Sequence, residues 1–207
     1  MPGVGESVTP AGELALLCDR EAWSGGFYEL SIQLGPADDE RLGQGVRALA
    51  GAGSLDGPWH VQWQPDRIAP AAWTVAGLSR GHLRGLVTLP GGQRGICSVV
   101  CVREEGGDDW LDLCLPLEAL SRLDVRVGGF PFGPDGGSAS LAWRRPVDDW
   151  LAGVAGRVRE ACGFRLAVIG FEVSGQVRAE EMAGGIPAER GYALLLPGEA
   201  GHLPATI

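Results

Sequence analysis

Three β-forming runs joined by two glycine turns fill residues 83–115, and they decide what kind of sheet this chain can build. Leu89-Pro90-Gly91-Gly92-Gln93 is hairpin chemistry, and Gly106-Gly107 supplies the second turn. Between them Ile96–Val102 is a continuous apolar run. After them Leu111, Leu113 and Leu115 alternate with Trp110, Asp112 and Cys114. Strands linked by turns this short run antiparallel. A meander therefore sits in the middle of the chain.

The flanking sequence adds helices and further strands. Tyr28, Leu30, Ile32 and Leu34 alternate with Phe27, Glu29, Ser31 and Gln33, which predicts a strand with one buried face. Asp38, Asp39 and Glu40 then complement the positive end of a helix, Leu42, Val46 and Leu49 form its apolar stripe, and Gly51 and Gly53 stop it. A short helix is expected at about 10–20 after a flexible lead at 1–9. Trp59, Val61 and Trp63 predict a strand closed by Pro65, and residues 73–78 a further short one. Pro116 starts a short helix with Leu117 and Leu120. Val147, Trp150, Leu151, Val154 and Val158 share one helical face, with Pro146 in the first turn and Gly163 as the cap. Leu166–Phe171 reads as a central strand. A short helix at 177–183 and a strand near 191–196 end the pattern. Helices and strands are partly segregated, so the expected fold is α+β: a single domain over 1–207 with a mainly antiparallel sheet and helices packed on it. Residues 127–142 are read as one glycine-rich loop.

Composition removes several chemistries. All seventeen basic residues are arginine; lysine and asparagine are both missing. Without an ε-amine there is no Schiff base, no Ser-Lys dyad and no P-loop lysine. Asparagine-linked glycosylation has no acceptor. The net charge of −9 repels nucleic acid and anionic lipid. No apolar run reaches the roughly 20 residues a membrane span needs. A cytoplasmic protein with no membrane association is expected, and its five cysteines should be reduced thiols. Cys97 and Cys101 stand about 13 Å apart along one strand, too far for a disulfide or a shared metal. Neither H-E-x-x-H nor C-x-x-C occurs, so no metal and no cofactor is assigned.

Gly77-Leu78-Ser79-Arg80-Gly81 matches G-x-S-x-G. In α/β-hydrolases that pentapeptide is a strand-to-helix elbow exposing the serine. The matching arrangement here would have Trp73–Ala76 as the strand and Leu83, Leu86 and Val87 on the helix. Asp148 or Glu172 would be the acid and His202 the base, in the order such enzymes use. A chain with 34 glycines meets this pattern easily by chance. Glu104, Glu105, Asp108, Asp109 and Asp112 could hold a hard cation such as Ca²⁺, but they lack EF-hand spacing and read better as a solvated acidic hairpin. Glu29 and Glu172 each lie in a strongly apolar segment, as the polar end of a pocket or at its rim.

The preferred expectation is a non-enzymatic binding module for a partner protein or a small ligand, with a second copy of the chain also open as a partner. Its site would form around the glycine-rich loop, from Phe130, Phe132, Trp143 and Arg144, because tryptophan and arginine dominate binding hot spots. The alternative is a serine hydrolase using Ser79 and His202.

Overall fold

The alternation that marks the first strand fixes the middle of the sheet. In a computed structural model, which describes residues 11–63, 66–124, 126, 137–198 and 201–207, β1 runs Phe27–Pro36. It lies between β6 (Asp108–Pro116) and β7 (Leu166–Phe171), antiparallel to both. Tyr28, Leu30, Ile32 and Leu34 are at most 2% exposed. Glu29, Ser31 and Gln33 on the opposite face are buried as well, so the expectation of a single buried face is corrected: both faces of this sheet are covered.

The predicted meander is present as β4 (Leu83–Thr88), β5 (Arg94–Arg103) and β6, paired in sequence. With β2 (Asp56–Trp63), β3 (Asp66–Pro70) and β8 (Ala193–Leu195) they complete, among the described residues, one eight-stranded antiparallel sheet in the order β3-β2-β4-β5-β6-β1-β7-β8. The fold is α+β. β7 is one strand from the edge and not central. Its apolar run reflects burial on both faces, since the three-residue β8 barely extends the sheet beyond it.

Among the described residues five helices accompany the sheet: α1 (Ala11–Leu16), α2 (Asp39–Ala52), α3 (Val75–Leu78), α4 (Leu117–Leu123) and α5 (Gly137–Cys162). α2 and α5 pack against each other and against the face carrying Tyr28, Leu30 and Ile32. Asp38 caps α2, its carboxylate accepting from the N–H groups of Glu40 and Arg41 at 2.9 and 3.1 Å. Gly45 lets α2 approach closely, because a Cβ there would lie 3.3 Å from Leu111 and 3.5 Å from Cys162.

Two segments cover the opposite face. Leu17, just after α1, and Ala22, within a 3-10 turn at Glu21–Trp23, pack on Leu86 and Ile96. Val173 and Val177, following β7, pack on Leu166, Val168 and Leu194. Between these two apolar patches lies a buried polar strip formed by Glu29, Ser31, Gln33, Ser98 and Asp112.

Three local expectations need correction. Residues 137–142 are helical, so the glycine-rich stretch gives way to α5 at Gly137, and Pro146 is the tenth residue of the helix rather than part of its first turn. Leu141, Trp143 and Arg144 are each below 10% exposed, and their burial holds the turns upstream of the proline in place. Residues 73–78 form no strand; Thr74 caps the short helix α3 instead. In place of a helix over 177–183 there is a 3-10 turn at Glu181–Gly184. The expected lead at 1–9, Pro65, Phe130 and Phe132 lie outside the described residues.

Candidate functional site

The G-x-S-x-G pentapeptide ends a helix and leads into a strand, which is the reverse of a strand-to-helix elbow. Its glycines have packing and backbone roles. A Cβ on Gly77 would come within 2.4 Å of the Ala72 carbonyl oxygen, and Gly81 turns the chain at φ +131°. Ser79 is exposed, and its hydroxyl donates to the Ala76 carbonyl of its own turn at 3.1 Å. His202 lies beside β8, where its Nε2 stands 3.3 Å from Asp149 Oδ1. β4, which Ser79 precedes, and β8 are five strand steps apart, roughly 24 Å. The structure therefore does not bring Ser79 and His202 together.

It does bring Asp148, Arg144 and Trp143 together, around a residue that reads only as core in the sequence. Tyr28 projects from β1 under α5, and its hydroxyl donates to Asp148 Oδ1 at 2.5 Å. Arg144 Nε donates to the same hydroxyl oxygen at 3.2 Å. Arg144 goes on to Ser140 Oγ at 3.1 Å, the Ile207 main-chain oxygen at 3.3 Å and the Gly191 carbonyl at 2.5 Å. Arg144 is thus a buried tie between α5, β1 and the end of the chain, and not a surface cation at a loop mouth. Burial pushes the Asp148 carboxyl up to about 6, against the pull of the Tyr28 hydroxyl and Arg144. Burial, then the charge of Asp148, raises the Tyr28 phenol well above its usual value. The hydroxyl stays protonated, and its two hydrogen bonds, to Asp148 and from Arg144, hold the ring in place.

That ring forms the floor of a cleft of about 190 Å³. The Trp143 ring stands 6.0 Å from the Tyr28 ring, tilted by 59°, within the range of favourable aromatic pairs. Leu89 and the β4–β5 turn, Leu120 and Leu123 of α4, and Val147 of α5 supply apolar walls. Asp124 and Arg126 stand at the rim and pair with each other at 2.6 Å. Of the residues expected in a binding site, Trp143 lines this cleft and Arg144 braces it from behind. Tyr28 was legible to the extent that a tyrosine on an otherwise aliphatic strand face carries a hydroxyl that must find a buried partner.

The carboxylates on the other face form a second polar system. The acidic hairpin is solvated as expected at its tip, where Glu105 is exposed, but Asp108, Asp109 and Asp112 are buried and arginines fold onto it. Arg103 binds Asp109 through two parallel hydrogen bonds of 2.6 and 2.8 Å. Arg165 reaches Asp108 at 2.8 Å, and Arg178 clasps Glu104. Burial opposes the ionised form of Asp109, but Arg103 prevails and holds its carboxyl below the usual value. Deeper in, Asp112 accepts from Ser31 Oγ at 2.6 Å and Ser174 Oγ at 2.8 Å. Glu29 Oε2 accepts the Ser174 N–H at 3.0 Å. Burial raises the Glu29 carboxyl to about 7, with smaller contributions from the nearby charges of Asp112 and Glu172. Glu172 is exposed, at φ +48°, and accepts the Phe27 N–H at 2.8 Å. Glu29 and Glu172 therefore fasten the covering segment 172–177 to β1.

The five cysteines are free thiols, and burial raises Cys97 to about 12 and Cys101 to about 11, away from reactive thiolates. Among the described residues, no group of three or more histidine, cysteine or carboxylate side chains is arranged to hold a metal ion. None of the described helices is long and apolar enough to cross a membrane. Comparison with protein-family models, with curated proteins and with solved structures finds no match to this chain.

Proposed function

We propose that this chain is a non-enzymatic binding module whose ligand is a small molecule seated in the cleft between β1, the β4–β5 turn, α4 and α5. The observation that carries this reading is the preorganised aromatic pair. Tyr28 is fixed by Asp148 and Arg144, and Trp143 is set against it at 6.0 Å. Rigid aromatic surface beside aliphatic walls binds without a large ordering cost. A small ligand fits this surface better than a protein partner does. The large apolar side chains that stand exposed among the described residues, Leu16, Val102, Ile186 and Ile207, are few and each less than half exposed.

The test is a fragment screen followed by tryptophan fluorescence and NMR titration of the hits. Trp143→Ala should weaken a true cleft ligand by about tenfold or more, the usual scale for an aromatic anchor. Val147→Phe, which fills the cleft from a half-buried wall, should weaken the same ligands while keeping the core intact. Hits that bind both variants as tightly as the parent chain would place the site elsewhere.

A further inference from the structure

One wall of the cleft carries a backbone feature that selects among small molecules. Pro146 lies inside α5 and lines the cleft, and so does Ala142, four residues earlier. In a helix the N–H of residue 146 would bond the carbonyl of residue 142. Proline has no N–H, so the Ala142 carbonyl lacks its helical donor, and the proline ring pushes that carbonyl aside. Acceptor capacity is thereby left at the edge of a cleft whose other polar lining is Gln93 and the Asp124–Arg126 pair.

The charges around the cleft point the same way. The full charges lining it among the described residues are Asp124 and Arg126, and these neutralise each other at 2.6 Å. Arg144, behind the floor, is matched by Asp148 through the Tyr28 hydroxyl. The faces of Tyr28 and Trp143 carry the negative side of their ring quadrupoles, which attracts cations. The chain as a whole carries −9. Among the described lining residues an anion meets no uncommitted cation, whereas a donor meets an acceptor beside an aromatic pair and a favourable field.

We infer that the ligand is a small primary amine on an apolar body, with its N–H donating to the Ala142 carbonyl and the body lying against Tyr28 and Trp143. This rests on the cleft being the ligand seat. The size is suitable: an apolar cavity of about 150 Å³ holds benzene, so about 190 Å³ accepts a phenyl ring with a short tail.

The test compares four probes that share one body: ethylbenzene, 2-phenylethanol, 2-phenylethylamine and phenylacetate, titrated by NMR at low salt. The amine should bind about tenfold more tightly than ethylbenzene, the gain expected of a charge-assisted hydrogen bond, and phenylacetate most weakly. Pro146→Ala restores the N–H, returns the Ala142 carbonyl to the helix and should bring the ratio of amine to ethylbenzene affinity from about tenfold to near one, the ratio dividing out any loss of contact with the proline ring. An amine advantage that persists in Pro146→Ala, or equal binding of amine and phenylacetate, would overturn the assignment of the donor. Failure of all four probes to bind the parent chain would instead overturn the cleft as the ligand seat.

Discussion

Glu29 ties the stability of this protein to pH in a direction opposite to that of an ordinary salt-bridged acid. The residue is 5% exposed, on the polar strip beneath segment 172–177. Burial raises its pKa from 4.5 to about 7, although the Ser174 N–H pulls it down. The folded chain thus binds the proton more tightly than the unfolded chain. Stability from this group is fully present below pH 4.5 and is lost as pH rises through about 7. Linkage with these two values makes the loss between pH 5 and pH 8 about 2.5 kcal/mol. Glu29→Gln keeps an oxygen to accept the Ser174 N–H but cannot ionise. It should be close to the parent in stability at pH 5 and more stable by about 2–3 kcal/mol at pH 8. Urea unfolding of both proteins at the two pH values measures this, and the difference between them cancels the contribution of every other titrating group. A stability gap that stays constant from pH 5 to pH 8 would refute the reasoning, because it would mean that Glu29 ionises in the fold as easily as in the unfolded chain.

Tyr28→Phe leaves Asp148 and Arg144 buried without the hydroxyl that joins them, so it should cost about 2–3 kcal/mol by urea unfolding; a loss below about 0.5 kcal/mol would dissolve the network. Gly77→Ala drives a methyl toward the Ala72 carbonyl oxygen at 2.4 Å and should lower stability by about 2 kcal/mol. Ser79→Ala, on an exposed turn, should change stability by less than about 0.5 kcal/mol. The parent chain should also fail to label with a serine-reactive fluorophosphonate, and covalent modification at Ser79 would contradict this. Arg103→Lys loses the two-bond grip on the buried Asp109 and should cost about 1–2 kcal/mol at neutral pH, with partial recovery in acid as Asp109 protonates.

The fold was legible wherever one signal fixed one element. The β4–β5–β6 meander followed from two glycine turns, and α2 from its acidic cap and apolar stripe. Proline misled at α5, because its preference for a first helical turn is only local. Burial of Leu141, Trp143 and Arg144 outweighs the lost hydrogen bond and extends the helix upstream. The run Leu166–Phe171 misled as well. Apolarity on both faces reports cover above and below a strand and not its position in the sheet, and two different segments cover β7. The pentapeptide at 77–81 looked like chemistry because its glycines are required, yet they are required by a carbonyl contact and a turn.

The sites were less legible for a different reason: each depends on pairs far apart in the chain. Tyr28 and Asp148 are separated by 120 residues, Glu29 and Ser174 by 145, and Arg178 and Glu104 by 74. Periodicity describes only neighbours. What the sequence does expose is demand. A tyrosine among leucines, a glutamate, serine and glutamine alternating with them in the same strand, and a hairpin of acids in a chain whose only cations are guanidinium groups each need partners. Arginine can meet buried carboxylates with paired hydrogen bonds where an ammonium offers a point charge. It does so at the buried Asp109, and Arg178 grips the partly exposed Glu104 in the same way. The absence of lysine therefore removes amine chemistry and also favours a fold in which acids are gripped by geometry. Arg103, Arg165 and Arg178 are spent in that way on the hairpin, and Arg126 and Arg144 are committed at the cleft. With those cations already engaged, the proposed ligand of the space beside Tyr28 and Trp143 is one that brings its own positive charge.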